Sequence, residues 1–186
     1  VNAGLLTLGN AIGVIMGANI GTTVTAWVTA LGFSVDISVF SVPLTALGFV
    51  LCTSKKQKNK SIGAFVVGFA IMFLGLSFMK TSAGALLSNK DAMLAFFSHF
   101  TGLGFWSEII FLLAGTILTI VLQASSATMA ITMLLTTSGL IDFPLACAMV
   151  LGENIGTTIT ANMAATVVNT SAKRTARAHT VFNVFG

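Results

Sequence analysis

Charge is what this sequence has least of. Of its 186 residues, 8% are charged and 55% hydrophobic, whereas soluble domains carry about 25% charged residues. A soluble core of this size could not hide so much apolar surface, because small domains keep a large share of their surface in water. Cysteine is scarce too. Cys52 and Cys147 stand far apart in apolar segments, which supports neither a disulfide framework nor a metal cluster and reads as two small buried hydrophobes. Also missing are a starting methionine and a signal peptide. The chain opens on VNAGLL and stops at HTVFNVFG, inside what reads as the start of another apolar stretch. Both ends are expected to be cuts in a longer protein.

What is present in abundance is apolar sequence. Several runs approach the ~20 residues that cross a bilayer, so the expected class is an all-α integral membrane protein. The net charge of +4 gathers in KKQKNK (55–60) and AKRTARAH (172–179). In so apolar a chain these are expected to be short cytoplasmic loops obeying the positive-inside bias, not a nucleic-acid surface. Residues 5–33, 37–53, 62–79 and 145–170 read as spans, and 109–122 and 129–135 as apolar runs interrupted by QASSAT (123–128). Pro43 is tolerable within its span if neighbours satisfy the freed carbonyl. Residues 80–104 mix Lys80, Lys90, Asp91 and His99 with apolar positions and read as an interfacial amphipathic segment.

One decapeptide occurs twice, as GANIGTTVTA (17–26) and GENIGTTITA (152–161). The match extends without a gap over residues 4–26 and 139–161, with 11 of 23 positions identical at a constant offset of 135. An internal duplication is the reading. Crossings counted from a cytoplasmic 55–60 run the two copies in opposite senses and return 172–179 to the same side. Inverted repeats of this kind characterise secondary transporters, with the substrate site at the repeat interface near the midplane. The expected divisions are a first repeat over 1–54, a basic loop over 55–60, a connecting helix and interfacial segment over 61–104, and a second repeat over 105–186.

Glycine within each decapeptide suggests that the helix breaks there, exposing backbone groups that a polar cavity can use. Asn19, Thr22, Thr23 and Thr25, with Asn154, Thr157, Thr158 and Thr160, add uncharged oxygens suited to sodium. Gln123, Ser125, Ser126 and Thr128 offer an amide and hydroxyls at the tip of a hairpin, where a helix N-terminus suits an anion. Any single serine, threonine or glycine in a membrane helix is more often packing than ligand; duplication, inversion and placement together reverse that balance. Glu153, which stands where the first copy has Ala18, is an acid in mid-span and a candidate for cation coupling. It could equally bind a cation, take up a proton, pair with an absent partner or make a structural hydrogen bond.

QASSAT followed by GENIGTT, with the earlier GANIGTT and the closing RTARAHTVFNVFG, resembles the type II sodium-dependent phosphate cotransporters in their bacterial branch. The resemblance covers essentially the whole chain. It implies sodium-coupled symport of inorganic phosphate across the bacterial inner membrane by a multi-pass protein, with no cofactor beyond the transported sodium. It also implies inverted repeats, each with a re-entrant hairpin whose Gln-Ser-Ser-Ser motif binds phosphate and sodium. Here that motif falls on Gln123, Ala124, Ser125 and Ser126, so one hydroxyl is replaced by Ala124. The counterpart hairpin of the first repeat would lie about a dozen residues before Val1, by the same offset. The substrate set is then Gln123, Ser125, Ser126, Thr128, Asn19 and Asn154. The sodium set is Gln123, Ser126, Asn19, Thr22, Thr23, Asn154, Thr157 and Thr158. Rival readings are a sodium-coupled carrier of another small anion, a channel, and an intramembrane serine hydrolase. The last would need His99 or His179 beside Ser125 or Ser126. The sequence leaves the oligomeric state open, a homodimer included.

Overall fold

The computed structural model describes residues 1, 3–34, 38–86 and 90–185. Among them all regular structure is helical: α1 (Leu8–Ser34), α2 (Ser38–Cys52), α3 (Gln57–Leu86), α4 (Lys90–Thr101), α5 (Phe105–Leu122), α6 (Ser125–Thr137), α7 (Phe143–Ala164), a 3-10 turn (Ala165–Val167) and α8 (Thr170–Phe185). Three of these, α1, α3 through Ser82 and α5, are long and apolar enough to cross a membrane. Many of their large apolar side chains are exposed, including Val14, Ile20, Val24, Trp27, Phe65, Ile117 and Val121. Hydrocarbon is the solvent such surfaces fit, and helices satisfy their own backbone there.

The chain forms two compact units, Val1–Trp27 with Asp91–Gly186, and Val28–Lys90. In the second unit α2 lies against α3 with little between the backbones. A side chain at Gly48 or Gly63 would run into the facing helix. Ala70, Phe73 and Leu76 are its buried apolar positions. Lys80 reaches the C-terminal end of α1, where its Nζ donates to the Phe33 carbonyl at 2.6 Å and lies 5.6 Å from the Phe33 ring. A lysine at that end satisfies a carbonyl with no intrahelical donor and complements the helix dipole. α3 itself continues to Leu86, through the first part of the segment expected to lie at the interface. α4 turns Phe97 onto Phe111 with ring centroids 6.4 Å apart and leaves Phe96 exposed. Residues 87–89 of that segment are outside the described residues.

The first unit is organised around α5, α6 and α7. Its core joins Phe111, Ile141, Leu145, Ala146, Ala148 and Met149. The duplication reappears as duplicated local structure. Gly4 and Gly139, 135 positions apart, both take positive φ, +75° and +72°, a region that favours glycine. Three residues on, Thr7 Oγ1 accepts from the amide of Asn10 and Asp142 Oδ1 from that of Leu145. Each is an N-cap, and α1 and α7 begin one residue later, at Leu8 and Phe143.

Two expectations are corrected. Neither decapeptide breaks its helix: α1 is continuous through 17–26 and α7 through 152–161. The threonines fold back on their own helix instead. Thr22 donates to the Ala18 carbonyl and Thr157 to that of Glu153, while Thr23 donates to Ile20 and Thr158 to Ile155. Hydroxyls returned three or four residues back leave the helical ladder whole. Nor are the basic stretches simply loops. Residues 57–60 open α3, and 172–179 lie within α8, which starts where Asn169 Oδ1 accepts from the Ala172 amide.

Candidate functional site

The one expected break that does occur is at QASSAT. α5 stops at Leu122, and Gln123 takes the left-handed conformation (φ 53°, ψ 25°), its amide bonded to the Thr119 carbonyl at 2.8 Å. Ala124 is extended (φ −147°, ψ 103°) and occupies the N-cap of α6 without a side chain able to cap it. The first bonds of α6 run from the amides of Ala127 and Thr128 to the Ala124 carbonyl. Thus the amides of Ser125 and Ser126 keep no intrahelical acceptor, as at any uncapped helix start. Among the described residues, the side chains of Gln123, Ser125 and Ser126 also make no hydrogen bond. Gln123 and Ser126 are exposed and Ser125 is half-buried. Amide and hydroxyl donors thus gather at a positive helix end, an arrangement suited to a tetrahedral oxyanion.

Thr128 differs from its neighbours. It is fully buried, and its hydroxyl accepts from Thr119 Oγ1 at 3.0 Å. It ties α6 to α5 below the tip. α6 itself spans 13 residues, a rise of about 20 Å, short of the ~30 Å hydrocarbon core.

α7 is held against α5 by glycine. A side chain on Gly115 would strike the Met149 carbonyl, one on Gly152 the Leu112 carbonyl, and one on Gly156 the Thr116 carbonyl and Thr119 Cβ. Thr116 Oγ1 lies 2.9 Å from both the Leu112 and the Gly152 carbonyls. The second decapeptide is thereby seated beside Thr119, and so beside the base of the hairpin. Asn154 is half-buried and, among the described residues, its side chain has no hydrogen-bond partner. Thr157 and Thr158 are committed to their own helix.

The first decapeptide is placed differently within the same unit. Asn19 Nδ2 donates to Asn183 Oδ1 at 3.2 Å, Asn19 Oδ1 lies 3.3 Å from His179 Nε2, and Asn183 Nδ2 donates to the His179 carbonyl. This polar clasp joins α1 to α8. Thr22 is half-buried and Thr23 exposed. A side chain on Gly17 or Gly21 would meet nothing within 4 Å, unlike their counterparts Gly152 and Gly156. His99 bonds the Ala95 carbonyl one turn back at 2.7 Å. With His179 on Asn19, neither histidine hydrogen-bonds Ser125 or Ser126 among the described residues.

Sequence reasoning missed Thr116, Thr119 and Asn183, and named His179 only as a possible base, not as part of the clasp. Gly115 and Thr119, four apart, form the small-x-x-x-small spacing of close membrane-helix contacts and could have flagged the α5 seam. The clasp had no comparable signal, because it joins residues some 160 positions apart.

Comparison with known proteins bears on this arrangement. A family model described as Na+/Pi-cotransporter matches residues 1–81 and 90–185. YqeW of Bacillus subtilis (strain 168), described as uncharacterized, is 36% identical over 186 residues, covering 100% of this chain and 58% of its own length. YjbB of Escherichia coli (strain K12), named for inorganic phosphate export, is 26% identical over 183 residues, covering 98% of this chain and 32% of its own length. No solved structure matches. The family match covers nearly every residue, the helical hairpin and both decapeptides included, and the chain belongs to the Na+/Pi-cotransporter family.

Proposed function

We propose that the protein carries inorganic phosphate across the bacterial inner membrane in symport with sodium. The observation that carries this reading is the start of α6. Two serine backbone amides, two serine hydroxyls and the Gln123 side-chain amide lie there without protein partners among the described residues. Phosphate oxygens are natural acceptors for such a set, and the dipole of α6 adds to it. In this reading Gln123, Ser125 and Ser126 hold phosphate, Thr128 shapes the hairpin under them, and Asn19 and Asn154 face the substrate from the two repeats. Sodium is held by oxygens of Gln123, Ser126, Asn19, Thr22, Thr23, Asn154, Thr157 and Thr158. Its approach requires some of the threonine hydroxyls to turn from their own helix, a rotamer change that leaves the backbone bonds in place.

The repeats are proposed to be inverted, with α5 and α6 as a re-entrant hairpin and a counterpart hairpin upstream. The duplication itself is supported by the shared glycine, N-cap and helix start at the head of each copy. The open face at Gly17 and Gly21 is where that counterpart would seat, as α5 seats on Gly152 and Gly156. A homodimer is compatible with the exposed apolar helix faces.

Export is a second reading, favoured by the name of the E. coli relative. Phosphate flux measured in both directions across proteoliposomes, with sodium on one side, separates it from uptake. Competition by sulfate and carboxylates tests the anion.

A further inference from the structure

A cavity of about 310 Å³ opens between the end of α7 and the first turns of α8, lined by Asn162, Ala165, Thr166, Lys173 and Arg177. That is the small end of the range for ligand clefts, about 300–1,000 Å³. The chain makes it by doubling back. α7 ends at Ala164, the 3-10 turn takes Ala165–Val167, and α8 starts at Thr170. Further along, Asn162 Nδ2 donates to Thr180 Oγ1 at 2.6 Å, so α8 returns beside α7 in the opposite direction. Lys173 and Arg177, four residues apart, share one face of α8, and that face lines the cavity.

The protein does not balance this charge. Lys173, Arg174 and Arg177 stand in the first two turns of α8, where the helix dipole is already positive and an acid would be the stabilising choice. The acids of the unit lie elsewhere. Leu112 and Thr116 meet Gly152 and Gly156 in that order, so α5 and α7 run the same way. Glu108 in the first turn of α5 and Asp142 at the cap of α7 therefore mark the far end of the pair. Along α7 that end is about 30 Å from Asn162. Asp91 opens α4, which lies against the turn at Gly139–Asp142. Glu153, completely buried beside the glycine seam, is roughly 13 Å along the helix from Asn162. The uncharged lining groups have their own bonds: Asn162 Nδ2 also donates to the Thr158 carbonyl, and the Thr166 hydroxyl to that of Met163. They shape the walls, and the two cations are left to hold an anion.

Apolar surface leads away from the cavity on both helices. Ile155 and Leu151 precede Asn162 by seven and eleven residues and share its face of α7; Leu151 is exposed and Ile155 half-buried. Val181 and Val184 follow Arg177 by four and seven residues on α8, and both are exposed. Because the two helices run in opposite directions here, both strips leave the cavity the same way. The positive-inside bias sets the basic end at the cytoplasmic boundary and the strips in hydrocarbon. A cationic cavity at headgroup level under two aliphatic strips has the layout of a phospholipid, and basic pockets between membrane helices take anionic headgroups. A free phosphate ion would use the cations but not the strips. We propose that Lys173 and Arg177 bind the headgroup phosphate of an anionic phospholipid, with Arg177 able to engage two oxygens at once, and that its acyl chains lie along the strips.

The test is binding of fluorescent phosphatidylglycerol to the full-length protein in neutral detergent micelles, with fluorescent phosphatidylcholine as the reference. Phosphatidylglycerol should bind more tightly. Lys173→Gln and Arg177→Gln should each weaken it by about fivefold, the worth of one basic residue at an anionic membrane surface. Thr166→Trp, which fills the cavity without changing charge, should weaken it as well. Lys56→Gln with Lys58→Gln, which takes two charges from the segment that opens α3, should leave it unchanged. All these side chains are exposed, so the fold does not rest on their burial. Equal binding of the two lipids would overturn the proposal, as would a loss as large in the Lys56 and Lys58 variant as in those of Lys173 and Arg177. So would full displacement of the lipid by millimolar inorganic phosphate, which would make the free ion the ligand. Lipid binding needs no transport, so either outcome leaves the phosphate and sodium readings standing.

Discussion

The hydroxyl of Thr119 donates to the hydroxyl of Thr128 at 3.0 Å, with 2% and 0% of the two residues exposed. This side-chain bond joins α5 to α6 just below Gln123, so it holds the tip in shape. Thr119→Val should cost about 1 kcal/mol of stability. A double-mutant cycle with Thr128→Val should give a coupling of roughly 0.6 kcal/mol, the usual scale in membrane proteins. Unfolding in mixed micelles measures it, and strictly additive losses would show that the bond does not hold the hairpin.

The α5–α7 seam makes a sharper demand. Any side chain at Gly152 meets the Leu112 carbonyl and any at Gly115 the Met149 carbonyl, and backbone cannot step aside as a side chain can. Gly152→Ala and Gly115→Ala should each destabilise by about 1–3 kcal/mol or more, the cost of overpacking. Thermal unfolding in detergent reads the loss. Wild-type stability in either variant would mean that the helices stand further apart than described.

Gln123 combines a left-handed backbone with an exposed side-chain amide that, among the described residues, has no hydrogen-bond partner. Glycine tolerates that backbone at little cost, so Gln123→Gly removes the amide without straining the turn. The variant should insert and fold normally yet lose at least about tenfold in phosphate uptake, the loss of one hydrogen bond to a charged group. Normal uptake would take Gln123 out of the binding site.

Topology is open to direct labelling. Lys58 and Arg174 should face the cytoplasm and Asp142 the outside, as the positive-inside bias and an inverted repeat require. Single cysteines at these positions, with Cys52 and Cys147 replaced, can be probed by an impermeant reagent. Labelling of positions 58 and 142 from one side would break the inversion.

The break at QASSAT was legible because polar residues interrupt two apolar runs. The repeat was legible because eleven identities share one offset, and the caps at Thr7 and Asp142 follow that same register. The decapeptides were misread because glycine has two uses in a membrane helix, unwinding and close contact. Which one applies is decided by the facing helix. Gly152 and Gly156 meet α5, a contact that local sequence does not encode. The bond from Lys80 to the Phe33 carbonyl could not be read from the sequence, because the two are 47 residues apart. The burial of Glu153 follows from the same seam.

The central claim is sodium-driven phosphate movement through the site at the start of α6. Labelled-phosphate flux by the purified protein in liposomes, with an imposed sodium gradient and then with choline replacing sodium, tests it most directly. Saturable phosphate accumulation that follows the sodium gradient and is lost in Gln123→Gly is the expected result. Flux that proceeds equally in choline, or that survives removal of the Gln123 side chain, would contradict it.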